Sequence, residues 1–185
     1  MAFSIDEFTS AGLPLGGARA SLFSVICDTP SGVPNIGPRF SFTCRAASLP
    51  GSNMGMIEAP YFGRKIKLAG NRTFDNWEVT VLNDEDFAIR NAFEMWSNAI
   101  QSHQTNLRAT QLATSKSYRT TAQITQYAKT GAQIRTYSMV NLWPISISPI
   151  VMDWNSVNEI ETFTVSFAYD YWQPVAPGTT GSFEV

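Results

Sequence analysis

The side chains that could perform catalysis are few and widely separated in this chain. His103 is the only histidine, so a nucleophile–histidine arrangement would have to combine it with Cys27, Cys44 or one of many hydroxyl groups. A classical zinc site needs more nitrogen and sulfur ligands than the chain holds. His103 follows a predicted helix, where a cation near free carbonyl groups is a sufficient structural explanation. The sequence therefore predicts no enzyme activity, no bound metal and no cofactor.

Two other groups of residues could suggest a calcium site or a disulfide scaffold, but neither has the number or spacing of residues that such a site requires. Residues 153–159 are rich in oxygen ligands, but they lack the glycine and the ligand spacing of an EF-hand, so we interpret them as a turn between strands. Cys27 and Cys44 are too few for a disulfide scaffold and are expected to be buried free thiols. A bridge between them on neighbouring strands remains an alternative.

One basic cluster stands out, formed by Arg64, Lys65, Lys67 and Arg72. Because aromatic residues precede it, contact with nucleic acid is one interpretation. We favour a strand whose outward charges pair with a neighbouring subunit. The available acidic partners include Asp84, Glu85, Asp86 and Glu159. Lys65→Glu is then expected to weaken assembly in a salt-dependent way.

The elements that carry these residues are mostly strands. Alternation of apolar and polar side chains predicts half-buried antiparallel strands. They are expected at about 20–27, 40–46, 56–68, 77–81, 118–127, 132–142, 145–153 and 162–171. A single amphipathic helix is predicted at about 84–102, capped by Asn83, with Ile89, Phe93, Trp96 and Ile100 on one stripe. The capping-box pair Ser4 and Glu7 predicts a short helix near the start.

The surface composition points to assembly. Only 15% of the 185 residues are charged, against about 25% in a typical domain, while 44% are hydrophobic. The net charge is −2, so no global field would attract nucleic acid or an anionic membrane. We find no signal peptide and no apolar run of membrane-spanning length. A surface of Ser, Thr, Asn and Gln suits a protein that contacts copies of itself.

An apolar loop is predicted over residues 47–62. Such a loop is an aggregation hazard unless a partner covers it. Its contact residues are expected to be Leu49, Pro50, Met54, Met56, Ile57, Tyr61 and Phe62.

Several blocks of residues resemble a known family. They are Phe40–Ala46, Gly63–Trp77, Leu142–Pro144, Asp153–Trp154, Asn158–Phe163 and Asp170–Trp172. Together, and in this order over about 20–172, they resemble the tail tube protein of contractile-tailed bacteriophages. That family is similar in fold to the tube proteins of type VI secretion and of phage-like bacteriocins.

The resemblance implies a mainly β fold, with two antiparallel sheets in a small barrel-like sandwich and the helix outside. It divides the chain into an N-terminal arm (1–19), a tube domain (20–172) and a C-terminal tail (173–185). It also implies hexameric rings that stack into a hollow tube, with loop 47–62 on the next ring. Sheath contraction would drive the tube through the host envelope, and DNA would leave through the lumen without specific binding.

The implied partners are further copies of the chain, the sheath, the baseplate and the terminator, with no membrane anchor. The protein would be a virion component assembled in the host cytoplasm. A tube protein of a bacterial contractile injection device, a β-sandwich binding module and a secreted effector enzyme are the alternatives.

Overall fold

The computed structural model describes residue 5 and residues 8–175. Its strands are β1 (Phe23–Cys27), β2 (Cys44–Ala47), β3 (Asn53–Tyr61), β4 (Arg64–Thr73), β5 (Trp77–Leu82), β6 (Thr120–Tyr127), β7 (Gln133–Ile147), β8 (Thr162–Ala168) and β9 (Tyr171–Val175). Its α-helices are α1 (Gly37–Thr43) and α2 (Ala88–Ile100), with short helical turns at Phe8–Gly12 and Thr110–Leu112. Of the predicted helix at Ser4–Glu7, only Ile5, which is helical, is among the described residues.

All strand pairs are antiparallel, which confirms the predicted mainly β class. Seven strands form one sheet in the order β1-β6-β7-β8-β5-β2 with β9 also paired to β7, and β3 and β4 form a separate two-stranded sheet. The 15-residue β7 pairs with β6 and β9 along its first part and with β8 along its end. The two predicted sheets are therefore joined through β7, and residues 8–175 contain no closed barrel.

The core lies between the two halves of this sheet. Strands β5 and β8 bury every second residue, because alternate side chains of a strand point to the same face. The buried set on these strands is Trp77, Val79, Val81, Phe163, Val165 and Phe167. The other half buries Val25, Cys27, Ala122, Ile124, Met139 and Leu142 in the same cluster. The opposite face of β5 and β8 carries the predicted Thr and Ser side chains together with Glu78, Leu82 and Ala168.

Helix α2 confirms the predicted amphipathic element but is shorter. Ile89, Phe93 and Trp96 are buried in the core, and Arg90 pairs with Glu94 at 2.8 Å. The helix starts at Ala88 and not at residue 84, because Phe87 has a positive φ of 53°, which a right-handed helix does not accommodate. It ends at Ile100 because Gln101 is extended. The predicted Asn83 cap is wrong.

The strand predicted at 40–46 is wrong over most of its length. Residues 37–43 form α1, with proline in its first turn, where the fixed φ of proline suits a helix. A strand would have placed Phe40 and Phe42 on the same face, but Phe40 is buried and Phe42 is 88% exposed. Phe40 packs edge-on against Phe93, with 5.7 Å between ring centroids. The helical conformation of this segment therefore goes with a contact to α2, which is distant in the sequence.

Three other strand predictions need correction. The strand predicted at 162–171 is interrupted after Ala168, and Tyr171 belongs to β9. The strand predicted at 56–68 is a hairpin, with β3 and β4 joined at Phe62–Gly63. The predicted loop 47–62 is consequently irregular only up to residue 52. The strands predicted at 132–142 and 145–153 are one strand, β7, followed by an irregular segment from residue 148.

The last strand extends beyond the predicted tube domain. Strand β9 continues to Val175, three residues beyond the predicted end of the tube domain at residue 172. Within residue 5 and residues 8–175, no helix combines the length and apolar character that a bilayer crossing requires.

Candidate assembly surfaces

The hairpin of β3 and β4 is the most exposed regular element. Its strands pair only with each other, and every residue on them is exposed except Ala59 and Gly70, which are half-buried. The turn has two central residues, Phe62 and Gly63, with φ of 43° and 79°. Positive φ at both positions matches the type I′ turn that suits the twist of paired strands. Phe62 adopts this conformation at a steric cost and is 91% exposed.

One face of the hairpin is apolar. Ile57 lies opposite Leu68, and Ala59 lies opposite Ile66. Since cross-strand partners share a face, these residues form a continuous surface that also includes Tyr61. Its apolar members are Ile57, Ala59, Tyr61, Ile66 and Leu68. We call this surface the apolar hairpin face.

The other face of the hairpin is charged. Glu58 lies opposite Lys67, and Pro60 lies opposite Lys65. The Lys65 ammonium also contacts the Glu58 carboxylate at 2.6 Å. Residues 53–73 hold four cations and one carboxylate, a net charge of +3. The net charge is that of the whole hairpin. We call the surface that carries Glu58, Lys65 and Lys67 the basic hairpin face.

The base of the hairpin is tied to the main sheet. The Trp172 indole N–H donates to the Gly51 carbonyl oxygen at 2.9 Å, and the Asn53 amide donates to Asp75 at 2.7 Å. The Phe74 ring packs against Tyr169 and Trp172. Burial raises the pKa of the Tyr169 phenol, and the Asp75 carboxylate adds to this shift. The hairpin is thus anchored at its base and free along both strands.

A second exposed apolar surface lies on the irregular segment 148–161, which joins β7 to β8 and which we call the β7–β8 loop. Its large exposed apolar residues are Val151, Met152, Trp154, Val157 and Ile160. Trp154 is 100% exposed, the only tryptophan of the five in this state. The loop is fixed near its end, where the Asn83 N–H donates to the Glu161 carbonyl oxygen at 2.8 Å.

Next to this loop is an acidic cavity of about 590 Å³. Its charged lining residues are Asp84, Glu85, Glu159 and Glu161. Asp84 and Asp86 accept hydrogen bonds from the Arg39 guanidinium, the first at 2.7 Å. The Arg39 hydrogen bond holds the pKa of Asp86 below its usual value, with help from the Ala88 N–H. Glu85, Glu159 and Glu161 form no ion pair within the described residues.

The structure brings the two predicted contact sets together on one element. Met54, Met56, Ile57 and Tyr61 lie on β3, Phe62 lies at the turn, and Arg64, Lys65, Lys67 and Arg72 lie on β4. Leu49 and Pro50 lie before the hairpin. Met56 falls on the basic hairpin face, because it alternates with Ile57. Sequence reasoning did not single out Ile66 and Leu68, the exposed apolar residues of β4, although their alternation with Lys65 and Lys67 was a usable signal.

The candidate catalytic residues are not brought into one site. Both cysteines are free thiols, with Cys27 buried on β1 and Cys44 half-buried at the start of β2. Burial raises the pKa of Cys27 above its usual value and that of Cys44 to about 12. The exposed His103 donates its backbone N–H to Asn98 after α2. Within the described residues, no three His, Cys, Asp or Glu side chains are placed to hold a metal ion.

The oxygen-rich segment 153–159 is a turn. The Asp153 carboxylate accepts hydrogen bonds from the backbone and side-chain nitrogens of Asn155 at 2.9 and 3.0 Å. These bonds stabilise a local turn.

Comparison with known proteins gives a consistent result. Residues 18–174 match the family described as phage tail tube protein. The tail tube protein gp19 of Enterobacteria phage T4 is 34% identical over 170 residues, covering 91% of this chain and 99% of that protein. Its counterpart from Enterobacteria phage T6 gives the same identity and coverage.

Two solved structures share the fold. The tube-terminating cap of the anti-feeding prophage aligns with a TM-score of 0.62 at 19% identity, covering 86% of this chain and 91% of that one. A chain from the extended sheath–tube complex of a contractile injection system, PVC, aligns with a TM-score of 0.55 at 15% identity, covering 94% and 99%. At these identities the likeness concerns the fold alone.

Proposed function

This chain belongs to the phage tail tube protein family, and from that premise we propose that its copies close into hexameric rings that stack into a hollow tube. The chain is a structural subunit of a contractile phage tail and a component of the virion, not an enzyme. The single observation that carries this function is the 34% identity to a tail tube protein along nearly the whole of both chains. Family and function were both predicted from the sequence.

The partners of the tube follow from the same premise. The fold neighbours come from a sheath–tube complex, a tube-terminating cap and a baseplate. We propose that this tube likewise contacts a sheath, a baseplate and a terminator. Sheath contraction would drive it through the host envelope, and genomic DNA would pass through the lumen. A wall of Ser and Thr with few cations suits that passage, because each phosphate that a cation neutralises adds affinity.

Ring closure is supported by the open edges of the main sheet. The terminal strands β1 and β2 have a pairing partner on one side only. Exposed strand edges invite pairing with another chain, and a closed ring removes them. We propose that the two halves of the sheet, packed on a common core, act as a barrel-like sandwich whose edges meet those of adjacent subunits, with α2 on the outside.

Stacking of rings is supported by the hairpin. An isolated two-stranded hairpin is marginally stable in water, and this one has an apolar face that the chain itself leaves uncovered. A partner that buries that face would stabilise the element and remove an aggregation hazard. We propose that the hairpin packs on the next ring, with Leu49 and Pro50 continuing the contact at its base.

The basic hairpin face is proposed to form ion pairs between subunits. Lys67 on this face makes no ion pair with any described residue, and neither does Arg64, which lies opposite Tyr61 on the other face, nor Arg72 near the base of the hairpin. Lys65 already pairs with Glu58 inside the hairpin, so Lys65→Glu would also place two carboxylates side by side. Lys67→Glu breaks no ion pair of the chain, but it places a carboxylate opposite Glu58, so urea unfolding of the unassembled variant is measured beside its assembly. Lys129→Glu, at an exposed turn residue between β6 and β7, is the matched control for net charge.

Negative-stain electron microscopy of the purified, concentrated protein tests the proposed assembly, with baseplates added as nuclei. We expect hollow rods with six-fold end views. A protein that stays monomeric beside competent baseplates would contradict the proposal.

A further inference from the structure

The hairpin and the β7–β8 loop lie at opposite ends of the same strands. Strand β5 follows the hairpin at Trp77 and ends at Leu82, where it pairs with Thr162 at the start of β8. Segment 148–161 precedes Thr162, so the loop is at the Leu82 end. At about 3.3 Å per residue, β5 separates the two surfaces by about 17 Å. The molecule therefore presents one exposed apolar surface at each end.

The two ends are complementary in charge. Residues 148–161 hold three carboxylates and no cation, a net charge of −3. The hairpin residues 53–73 carry +3. Acidic groups also line the cavity next to the loop, among them Glu85 and Glu161. Each end thus combines exposed apolar side chains with charges of opposite sign to those of the other end.

We propose that the β7–β8 loop, with Trp154 at its centre, is the surface on which the hairpin of a second copy docks. The hairpin would enter edge-on between the loop and the acidic cavity, so that the apolar hairpin face covers Trp154 and Ile160. The basic hairpin face, on its other side, would lie next to Glu159 and Glu161. This inference rests on the proposed stacking of copies and names the surface that receives the hairpin.

A contact between two different surfaces that lie at opposite ends of one chain can repeat along an axis as an open assembly. Each copy donates its hairpin at one end and receives another at the other end, so the contact repeats without closing. A fully exposed tryptophan has the size and chemistry of an interface anchor. In the isolated subunit Trp154 makes no ring contact with any described residue.

The docking site can be located with a photoreactive benzoylphenylalanine in place of Trp154. Assembled tubes containing equal parts of unlabelled and ¹⁵N-labelled subunits are irradiated, and the cross-linked peptides are identified by mass spectrometry. We expect a ladder of covalent oligomers whose cross-links join position 154 to residues 53–73 of another copy. The same probe at Leu107, exposed on the segment after α2, is the control and should not capture the hairpin.

The outcomes separate this inference from the proposed function. Tubes that form normally, with cross-links from position 154 mapping outside residues 53–73, would overturn the docking site and leave the tube function intact. Wild-type protein that never forms tubes would overturn the proposed function itself.

An exchange of charges gives a second test. Lys67→Glu and Glu159→Lys should each raise the critical concentration for assembly about 2- to 30-fold, because each places like charges across an exposed contact. The chain that carries both substitutions restores opposite charges at every contact and should recover most of the loss. A double variant that assembles no better than the worse single variant would contradict this pairing of ends.

Discussion

Removing the apolar hairpin face should weaken assembly without weakening the subunit. The variant Ile57→Ser/Leu68→Ser replaces two cross-strand partners that are 55% and 52% exposed in the single chain. Full burial of such a side chain contributes about 1.5–3 kcal/mol, so covering the exposed half of each contributes about 0.8–1.5 kcal/mol. The pair then contributes about 1.6–3 kcal/mol per docked hairpin, which corresponds to about a 15- to 150-fold change in equilibrium constant.

The assay is the critical concentration for tube formation, measured by sedimentation of assembled tubes at a fixed salt concentration. Urea unfolding of the unassembled subunit is the companion measurement and should change little, since exposed substitutions rarely alter stability by more than about 0.5 kcal/mol. Leu107→Ser, at another exposed leucine, is the matched control. A double variant that assembles at the wild-type critical concentration would refute the reasoning, because the apolar hairpin face would then remain exposed to solvent in the assembled tube.

Three further predictions concern the subunit. Phe93→Ala removes a buried ring that contacts other core aromatics, and should lower the free energy of unfolding by about 3–5 kcal/mol in urea titrations. Because Arg39 lowers the pKa of Asp86 in the folded state, the stability lost in Arg39→Ala should be present at neutral pH and disappear as the pH falls below about 4; a difference that persists at pH 2 would contradict this origin. Cys27 and Cys44, with raised pKa values, should react slowly with a thiol reagent at pH 8 and rapidly in urea; fast reaction of the native protein would show that the thiols are accessible.

Long stretches of regular alternation were predictable from sequence. In β5 and β8 each inward position is apolar and most outward positions are Thr, Ser or Glu, so local pattern and tertiary burial agree. The stripe of Ile89, Phe93 and Trp96 identified α2 for the same reason. The strand prediction for Phe40–Ala46 was wrong although its apolar and polar residues alternate. Residues 37–43 form α1, in which Phe40 contacts Phe93 and Arg39 pairs with Asp84 in the acidic turn before α2.

The candidate surfaces were also only partly predictable from the sequence. Composition indicated a protein that contacts its own copies, and the resemblance of several blocks indicated the family. The hairpin was missed because its turn, Phe62–Gly63, lacks the Asn-Gly or Asp-Gly pair that usually marks such a turn. As a result, the apolar loop and the basic cluster were treated as separate sites, although they are the two strands of one element.

The sequence by itself determined the mainly β class, the amphipathic helix, the scarcity of catalytic groups and the family, since these depend on residue types and on their spacing along the chain. Only the tertiary structure decided that Ile57 and Leu68 share a face, that β7 joins both halves of the sheet, and that the hairpin and Trp154 lie at opposite ends. The physical reason is that strand register and the choice of neighbouring strand depend on partners far apart in the chain, whereas alternation within one strand is a local property.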